Sequence, residues 1–401
     1  MDIEELLRKT VDSKASDLHL TVGAPPTIRL HGEMQRLPYP ELTRDTLHMM
    51  MLGLLTGDQQ NRFEGTHDLD FSIEIPNLAR FRANFFVGRR GEGAVFRVIP
   101  TEIKSFQDLG LPPVLAELAR EERGLVLVTG PTGSGKSTTL AAMVDLINSE
   151  RAAHILTVED PIEFVHPHKK CLVNQREVKV HTESFASALR AALREDPDVI
   201  LVGEMRDLET ISLAVSAAET GHLVFGTLHT SSAAQTVDRI IDVFPPHQQS
   251  QIRTQLSESL QGVIAQTLIP KIGGGRIAAL EIMTTTAAVK NLIREGKTFQ
   301  LPSIIETGSN VGMQTLGQAL QELVIRGKIT PENAVAKGLD PSLLHSLRLG
   351  TPTMMPNEQA APPAAPAPSN IPTFASLPPR PDEDDELADL KPLSTPFSFR
   401  R

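Results

Sequence analysis

The residues Gly130-Pro131-Thr132-Gly133-Ser134-Gly135-Lys136-Ser137 meet the phosphate-loop pattern G-x-x-x-x-G-K-[ST] at every fixed position. The chemistry served by that spacing is polyphosphate binding. Glycines let the backbone wrap closely, so that consecutive N–H groups face the phosphates, and the start of a helix adds its positive end. Lys136 would reach the β/γ-phosphates and Ser137 would ligate Mg²⁺. Thr138, next in the chain, joins the expected nucleotide ligands.

Positioning such a loop takes a strand before it and a helix after it. Leu125-Val126-Leu127-Val128-Thr129 reads as a buried parallel strand, and Leu140, Met143, Val144 and Ile147 give an apolar helical stripe. From Gly124 to about Met283, apolar strands alternate with helical stretches, which predicts an α/β fold with a parallel sheet covered on both faces. The expected strands are residues 125–129, 154–158, 199–202, 223–228 and 277–282.

Ligands of open α/β sheets bind beyond the carboxyl ends of the strands, so the polar groups there are tested first. After the second strand comes Glu159-Asp160-Pro161-Ile162-Glu163, after the third Gly203-Glu204-Met205-Arg206-Asp207, and after the fourth His229. Acidic residues at such places also cap helices. Phosphoryl transfer to water needs Mg²⁺ near the β/γ-phosphates, a group to orient the water, and positive charge at the leaving phosphates. Glu204 is placed to hold Mg²⁺ through water, Glu163 to align or deprotonate the nucleophile, and His229 to sense the γ-phosphate. His222 follows Gly221 at an expected helix C-terminus, where a histidine is either a nucleotide contact or a dipole partner.

The first hundred residues read as a small α+β domain. Ile3, Leu6, Leu7 and Val11 have helical spacing, and Leu18, Leu20 and Val22 alternate as in a strand. Leu69, Phe71, Ile73 and Ile75 alternate again, as do Phe81, Ala83 and Phe85 against Arg80, Arg82 and Asn84. The loop Gly88-Arg89-Arg90-Gly91 predicts a hairpin whose register sets Arg82 opposite Arg97, with Phe81, Phe85, Ala94, Phe96 and Val98 on the core side. Like charges directly opposite cost stability. A solvated basic face or an anion met in use would each account for them. Residues 101–120 read as a linker and 121–350 as the second domain. Residues 351–401, with 12 of the 30 prolines and the acidic run Asp382-Glu383-Asp384-Asp385-Glu386, are expected to be disordered.

A chain of 401 residues, 40% hydrophobic, suits two domains. Its net charge of −10 argues against a general nucleic-acid or anionic-membrane binder. The single cysteine, Cys171, excludes an internal disulfide and a cysteine zinc cluster, and reads as a small apolar filler. The acidic start Met1-Asp2-Ile3-Glu4-Glu5 and the lack of any run of 18 apolar residues lead to the expectation of a cytoplasmic protein.

Beyond the phosphate loop, Val158-Glu159-Asp160-Pro161-Ile162-Glu163-Phe164 and Asp198-Val199-Ile200-Leu201-Val202-Gly203-Glu204 resemble the acidic box and the atypical Walker B box of the secretion ATPases of type II secretion and type IV pili. Glu219-Thr220-Gly221-His222 and Gly226-Thr227-Leu228-His229-Thr230 are similar to that family's last two boxes, and Ala15-Ser16-Asp17-Leu18-His19 points to its pilus-retraction branch. The resemblance covers about residues 1–345. It implies a RecA-like ATPase core with a PAS-like N-terminal domain, assembled as a homohexamer that turns ATP hydrolysis, with Mg²⁺, into pilus disassembly. By position Arg82 and Arg97 match family arginines that reach the nucleotide from the N-terminal domain. Ala288-Val289-Lys290-Asn291-Leu292-Ile293-Arg294-Glu295 matches a motif associated with retraction, with Val289 and Lys290 as departures. Implied partners are the inner-membrane pilus platform and a paralogous retraction ATPase, with no nucleic acid. The extra N-terminal domain and four-cysteine module of pilus-extension and secretion ATPases have no counterpart in these residues.

Overall fold

The computed structural model describes residues 2–342 apart from 31, 77, 100 and 101, so the expectation of disorder over 351–401 lies outside the described residues. Asp2 caps α1 (Ile3–Asp12), whose Ile3, Leu6 and Leu7 are buried. Then come β1 (Asp17–Thr21), β2 (Thr27–Leu30), β3 (Glu33–Arg36), α2 (Arg44–Leu52) and α3 (Gly57–Thr66), the two helices started by threonine caps. β4 (Asp68–Ile75), β5 (Ala79–Gly88) and β6 (Gly91–Ile99) complete an antiparallel sheet of order β3-β2-β1-β6-β5-β4. Period-2 alternation decides its faces. Leu18, Ile28, Phe81, Ala83, Phe85 and Phe96 form one core with Leu6, Leu47, Met51 and Phe63 from the helices. Phe63, Phe71 and Phe96 all stack edge-on against Phe85, adding about 0.5–1.5 kcal/mol per pair beyond burial. The β5–β6 hairpin pairs Gly88 with Gly91 and, as the loop length predicts, Arg82 with Arg97.

The stretch expected to be a linker carries α4 (Phe106–Leu109) and α5 (Pro113–Arg120). Val114, Leu115, Leu118 and Ala119 of α5 belong to the core of the following sheet, because the helix turns one apolar stripe onto α6. The second sheet is built from β7 (Gly124–Thr129), α6 (Lys136–Glu150), β8 (His154–Glu159), β9 (Leu172–Glu177), α7 (Phe185–Ala192), β10 (Val199–Val202), α8 (Leu208–Glu219) and β11 (Leu223–Leu228). It continues through α9 (Ala233–Asp242), α10 (Pro246–Ser259), β12 (Leu260–Pro270), β13 (Arg276–Thr284), α11 (Ala287–Arg294), α12 (Leu301–Thr307), α13 (Leu316–Ile325) and α14 (Pro331–Val335). The strand order is β13-β12-β7-β11-β10-β8-β9.

Alternate residues of the central strands feed opposite cores. Leu125 and Leu127 pack with α8 to α12, whereas Val126 and Val128 pack with α5 and α6, so both faces are covered. Two expectations need correction. The strand at 277–282 exists as β13 but pairs antiparallel with β12. β9 and β12 were not anticipated, since Asn174, Gln175 and Arg176 dilute one strand and Gln266 interrupts the other. Cys171 is buried, with its Sγ 3.1 Å from the Arg151 carbonyl, as a filler would be. No helix among the described residues is long and apolar enough to cross a membrane.

Candidate nucleotide site

β7, β11, β10 and β8 are parallel neighbours, so their carboxyl ends share one edge of the sheet. The loop Gly130–Ser137 leaves β7 there and enters α6. Its glycines are required by shape: a Cβ on Gly130 (φ +138°) would come within 2.2 Å of the Gln266 carbonyl oxygen, and one on Gly135 (φ +89°) within 2.8 Å of the Gln266 amide nitrogen. The buried Gln266 side chain of β12 braces the loop from behind. Its Nε2 donates to the Ser134 carbonyl at 2.7 Å, and its Oε1 accepts from the Thr139 hydroxyl at 2.8 Å. Lys136 Nζ donates to the carbonyls of Gly130 (2.8 Å) and Pro131 (3.1 Å), which holds the ammonium over the loop. Burial lowers the Lys136 pKa, and the Glu204 and Glu163 carboxylates pull it back up.

Those two carboxylates come from the next strand ends. Glu204, after β10, accepts at Oε1 from His229 Nε2 at 2.7 Å and from Arg206 Nε. His229 itself follows β11, and the Thr227 hydroxyl bonds the Gly203 carbonyl, tying the two strand ends together. Glu163 is exposed on the loop after β8. The loop is anchored by two carboxylates paired in register at the ends of β8 and β9, Glu159 and Glu177. Glu159 Oε2 accepts the Glu163 N–H at 3.3 Å and Glu177 Oε2 accepts the Ile162 N–H at 3.2 Å. Burial pushes the Glu159 carboxyl above its ordinary value, against the Thr157 hydroxyl, the Glu163 N–H and the Gln175 amide, which favour the charged form.

Lys136, Glu163, Glu204 and His229 are therefore brought to one edge. His222 is not. It precedes β11, so it lies at the opposite end of that strand from His229, about 23 Å away at roughly 3.3 Å per residue. Its Nδ1 meets the Ala217 carbonyl at 2.9 Å beyond the C-terminus of α8, the dipole-partner role, and its own carbonyl accepts from the Gly124 N–H. Arg82 is exposed on the polar face of the N-terminal sheet. Arg97 donates from Nε to the buried Asp17 carboxylate at 2.8 Å and leaves 69% of its side chain exposed. That polar face touches the second sheet: Arg80 Nη2 and Ser72 Oγ both donate to Glu177 of β9, and Ser72 is the β4 partner of Arg82.

The donors suit the expected ligands. Ser134 Oγ is buried and has no hydrogen-bond partner among the described residues, which leaves a hydroxyl for an anion in the loop. Among the described residues no group of three or more His, Cys, Asp or Glu could hold a metal by itself. Ser137 and Glu204 are hard oxygen donors of the kind Mg²⁺ takes one or two at a time, completing its shell with phosphate and water. Gln266, Glu177 and Arg206 were missed from sequence. Only Gln266 left a trace there, as a lone amide in the apolar run Val263-Ile264-Ala265-Gln266-Thr267-Leu268-Ile269.

The family model for type II/IV secretion system proteins matches residues 1–334. The chain is 57% identical over 341 residues to the type IV pilus retractation ATPase PilT of Pseudomonas aeruginosa, covering 85% of this chain and 99% of that protein. It is 41% identical to the type IV pilus ATPase PilU of the same organism over 337 residues, 84% of this chain and 88% of that protein. A crystal structure of the pilus retraction motor PilT with bound ADP superposes with a TM-score of 0.81 at 49% identity, covering 86% of this chain and 99% of that one. Agreement on this scale takes in both sheets and not the phosphate loop alone, and on it the chain belongs to the type II/IV secretion system protein family.

Proposed function

We propose that this chain is an ATP-hydrolysing motor that powers type IV pilus retraction, the basis of twitching motility. The observation that carries the reading is the convergence of Lys136, Glu163, Glu204 and His229 on one sheet edge around a braced phosphate loop. Its relatives supply the direction of the work: proteins named for pilus retraction and twitching motility are 57% and 56% identical to it.

In this mechanism the loop amides and Lys136 bind the phosphates of ATP, and Gln266 keeps the loop in its bound shape before ATP arrives. Ser137, and Glu204 through water, would hold Mg²⁺, which neutralises charge on the β- and γ-phosphates. Glu163 orients the attacking water and takes its proton. His229, bonded through Nε2 to Glu204, is assigned to sense the γ-phosphate. Arg82 and Arg97 bring positive charge from the N-terminal domain, which we read as a PAS-like module over residues 1–100 beside a RecA-like domain over 121–350. We further assign the chain to a homohexamer in the cytoplasm, docked at the inner-membrane pilus platform, alone or beside a paralogous retraction ATPase.

The output surface is assigned to α11. It buries Val289 and Ile293, with Leu292 half-buried, and exposes Asn291 and Arg294, of which Arg294 pairs with Glu258. An exposed pair of that kind adds about 0–1 kcal/mol, so its loss leaves the fold intact. The test joins both halves. Lys136→Ala is expected to lose ATP binding and turnover, and Glu163→Gln to keep binding while turnover falls about 10²-fold or more. Asn291→Ala with Arg294→Ala is expected to keep ATPase activity and abolish surface motility. Wild-type turnover by Glu163→Gln would reject the assigned base, and wild-type motility of the double variant would reject α11 as the output.

A further inference from the structure

We propose that Glu177 is a positioning residue for Glu163, and that Arg80 of the N-terminal domain acts on hydrolysis through it. This rests on the reading of Glu163 as the group that activates water. The two anchors of the acidic loop differ in what holds them. Glu159 is fixed from within the ATPase domain, by the Thr157 hydroxyl at 2.7 Å and the Gln175 amide at 3.2 Å. Glu177 is fixed from the other domain. Its Oε2 accepts from Arg80 Nη2 and from the Ile162 N–H together, and its Oε1 accepts from Ser72 Oγ at 3.2 Å.

Burial makes this arrangement obligatory. The Glu177 side chain is 4% exposed and that of Arg80 is 14% exposed, and a carboxylate so far from water must keep its cation or move toward solvent. The backbone leaves it no freedom to drift with the loop, because the Glu177 N–H is tied to His181 Nδ1 at 2.9 Å and its carbonyl accepts the His181 N–H. When the N-terminal sheet is seated, Arg80 holds Oε2 where the Ile162 amide reaches it, and Glu163 is the next residue. When the sheet lifts away, Oε2 is the anchor that changes, while Glu159 keeps all its partners. The acidic loop thus reads the seating of its own N-terminal domain. Arg80 shares a sheet face with Arg82, so one movement would place the loop and deliver that arginine.

The experiment uses the full chain and steady-state ATPase kinetics. Arg80→Ala and Glu177→Ala are each expected to lower kcat by roughly 10- to 100-fold, the cost of displacing a reacting group by about an ångström. KM for ATP should move by less than about twofold, which a general loss of structure would not produce. Arg80→Lys keeps a cation for Oε2 and should recover most of the rate. Glu177→Ala combined with Arg80→Ala should be no slower than Glu177→Ala alone, because both act at one oxygen. If Glu177→Ala does not fold, Arg80→Ala decides, since it leaves every contact inside the ATPase domain in place. Wild-type kcat for Arg80→Ala, or a raised KM at unchanged kcat, overturns the proposal. With Glu163→Gln inactive, that result rejects the positioning role alone; Glu163→Gln active at the wild-type rate rejects the base assignment and this inference together.

Discussion

Replacing Gln266 by leucine removes the brace behind the phosphate loop while nearly conserving volume. Gln266 is 4% exposed, and its amide makes the 2.7 Å bond to the Ser134 carbonyl and the 2.8 Å bond from the Thr139 hydroxyl. Leucine leaves both groups buried without that partner, at about 1–3 kcal/mol each. The Thr139 hydroxyl can turn to a carbonyl of the preceding helical turn, so the lower part of the sum applies, roughly 2–4 kcal/mol. If ATP must then reorder the loop as it binds, affinity falls by about 30- to 700-fold at about 1.4 kcal/mol per decade. Thermal unfolding should occur about 4–16 °C lower, at roughly 2–4 °C per kcal/mol for a domain of this size. Gln266→Glu should be worse than leucine, because a carboxylate oxygen would then face the Ser134 carbonyl. Thr139→Val, which removes one of the two bonds, should show about half of the leucine effect. The assays are equilibrium titration with a fluorescent ATP analogue and a melting curve on each variant. A leucine variant with wild-type affinity and melting temperature would refute the bracing argument, and a glutamate variant indistinguishable from wild type would refute its donor–acceptor logic.

Acid should destabilise the protein partly through His166. Burial of this imidazole lowers its pKa to about 4 from the ordinary 6.5, so its contribution is complete above 6.5 and is lost as pH falls toward 4. The loss amounts to about 3 kcal/mol, and His166→Gln should flatten that limb of a denaturant-unfolding profile taken at pH 7 and pH 4.5. Arg82→Ala and Arg97→Ala should each lower kcat with little change in ATP affinity, and Asp17→Asn should resemble Arg97→Ala. Burial alone would raise the Asp17 carboxyl, but the Ser16 hydroxyl and the Arg97 guanidinium hold it below its ordinary value, so the pair is set as a charge pair. Unchanged kcat in all three variants would remove the arginine face from the mechanism. Truncation after Gly350 should leave oligomer size on gel filtration and ATPase rate as they are, because residues 351–401 have too little apolar content to offset roughly 1–2 kcal/mol of backbone entropy per ordered residue. Loss of the oligomer would make that segment an assembly element.

The sequence by itself determined whatever depends on near neighbours. The phosphate loop with its flanking strand and helix, the acidic and histidine groups at strand ends, and the Arg82–Arg97 register all follow from fixed spacing, from period-2 alternation or from the length of one hairpin loop. Tertiary structure decided the contacts between distant partners. Gln266 is 127 residues from Thr139, and Glu177 is 105 from Ser72, so no periodicity links them. The antiparallel β13 and the burial of α5 were likewise invisible, because an apolar run shows that a segment is buried but not against what or in which direction. Local chemistry names the groups that can act on a phosphate, and only the packing of two sheets through Arg80, Ser72 and Glu177 shows which buried charges hold them in place.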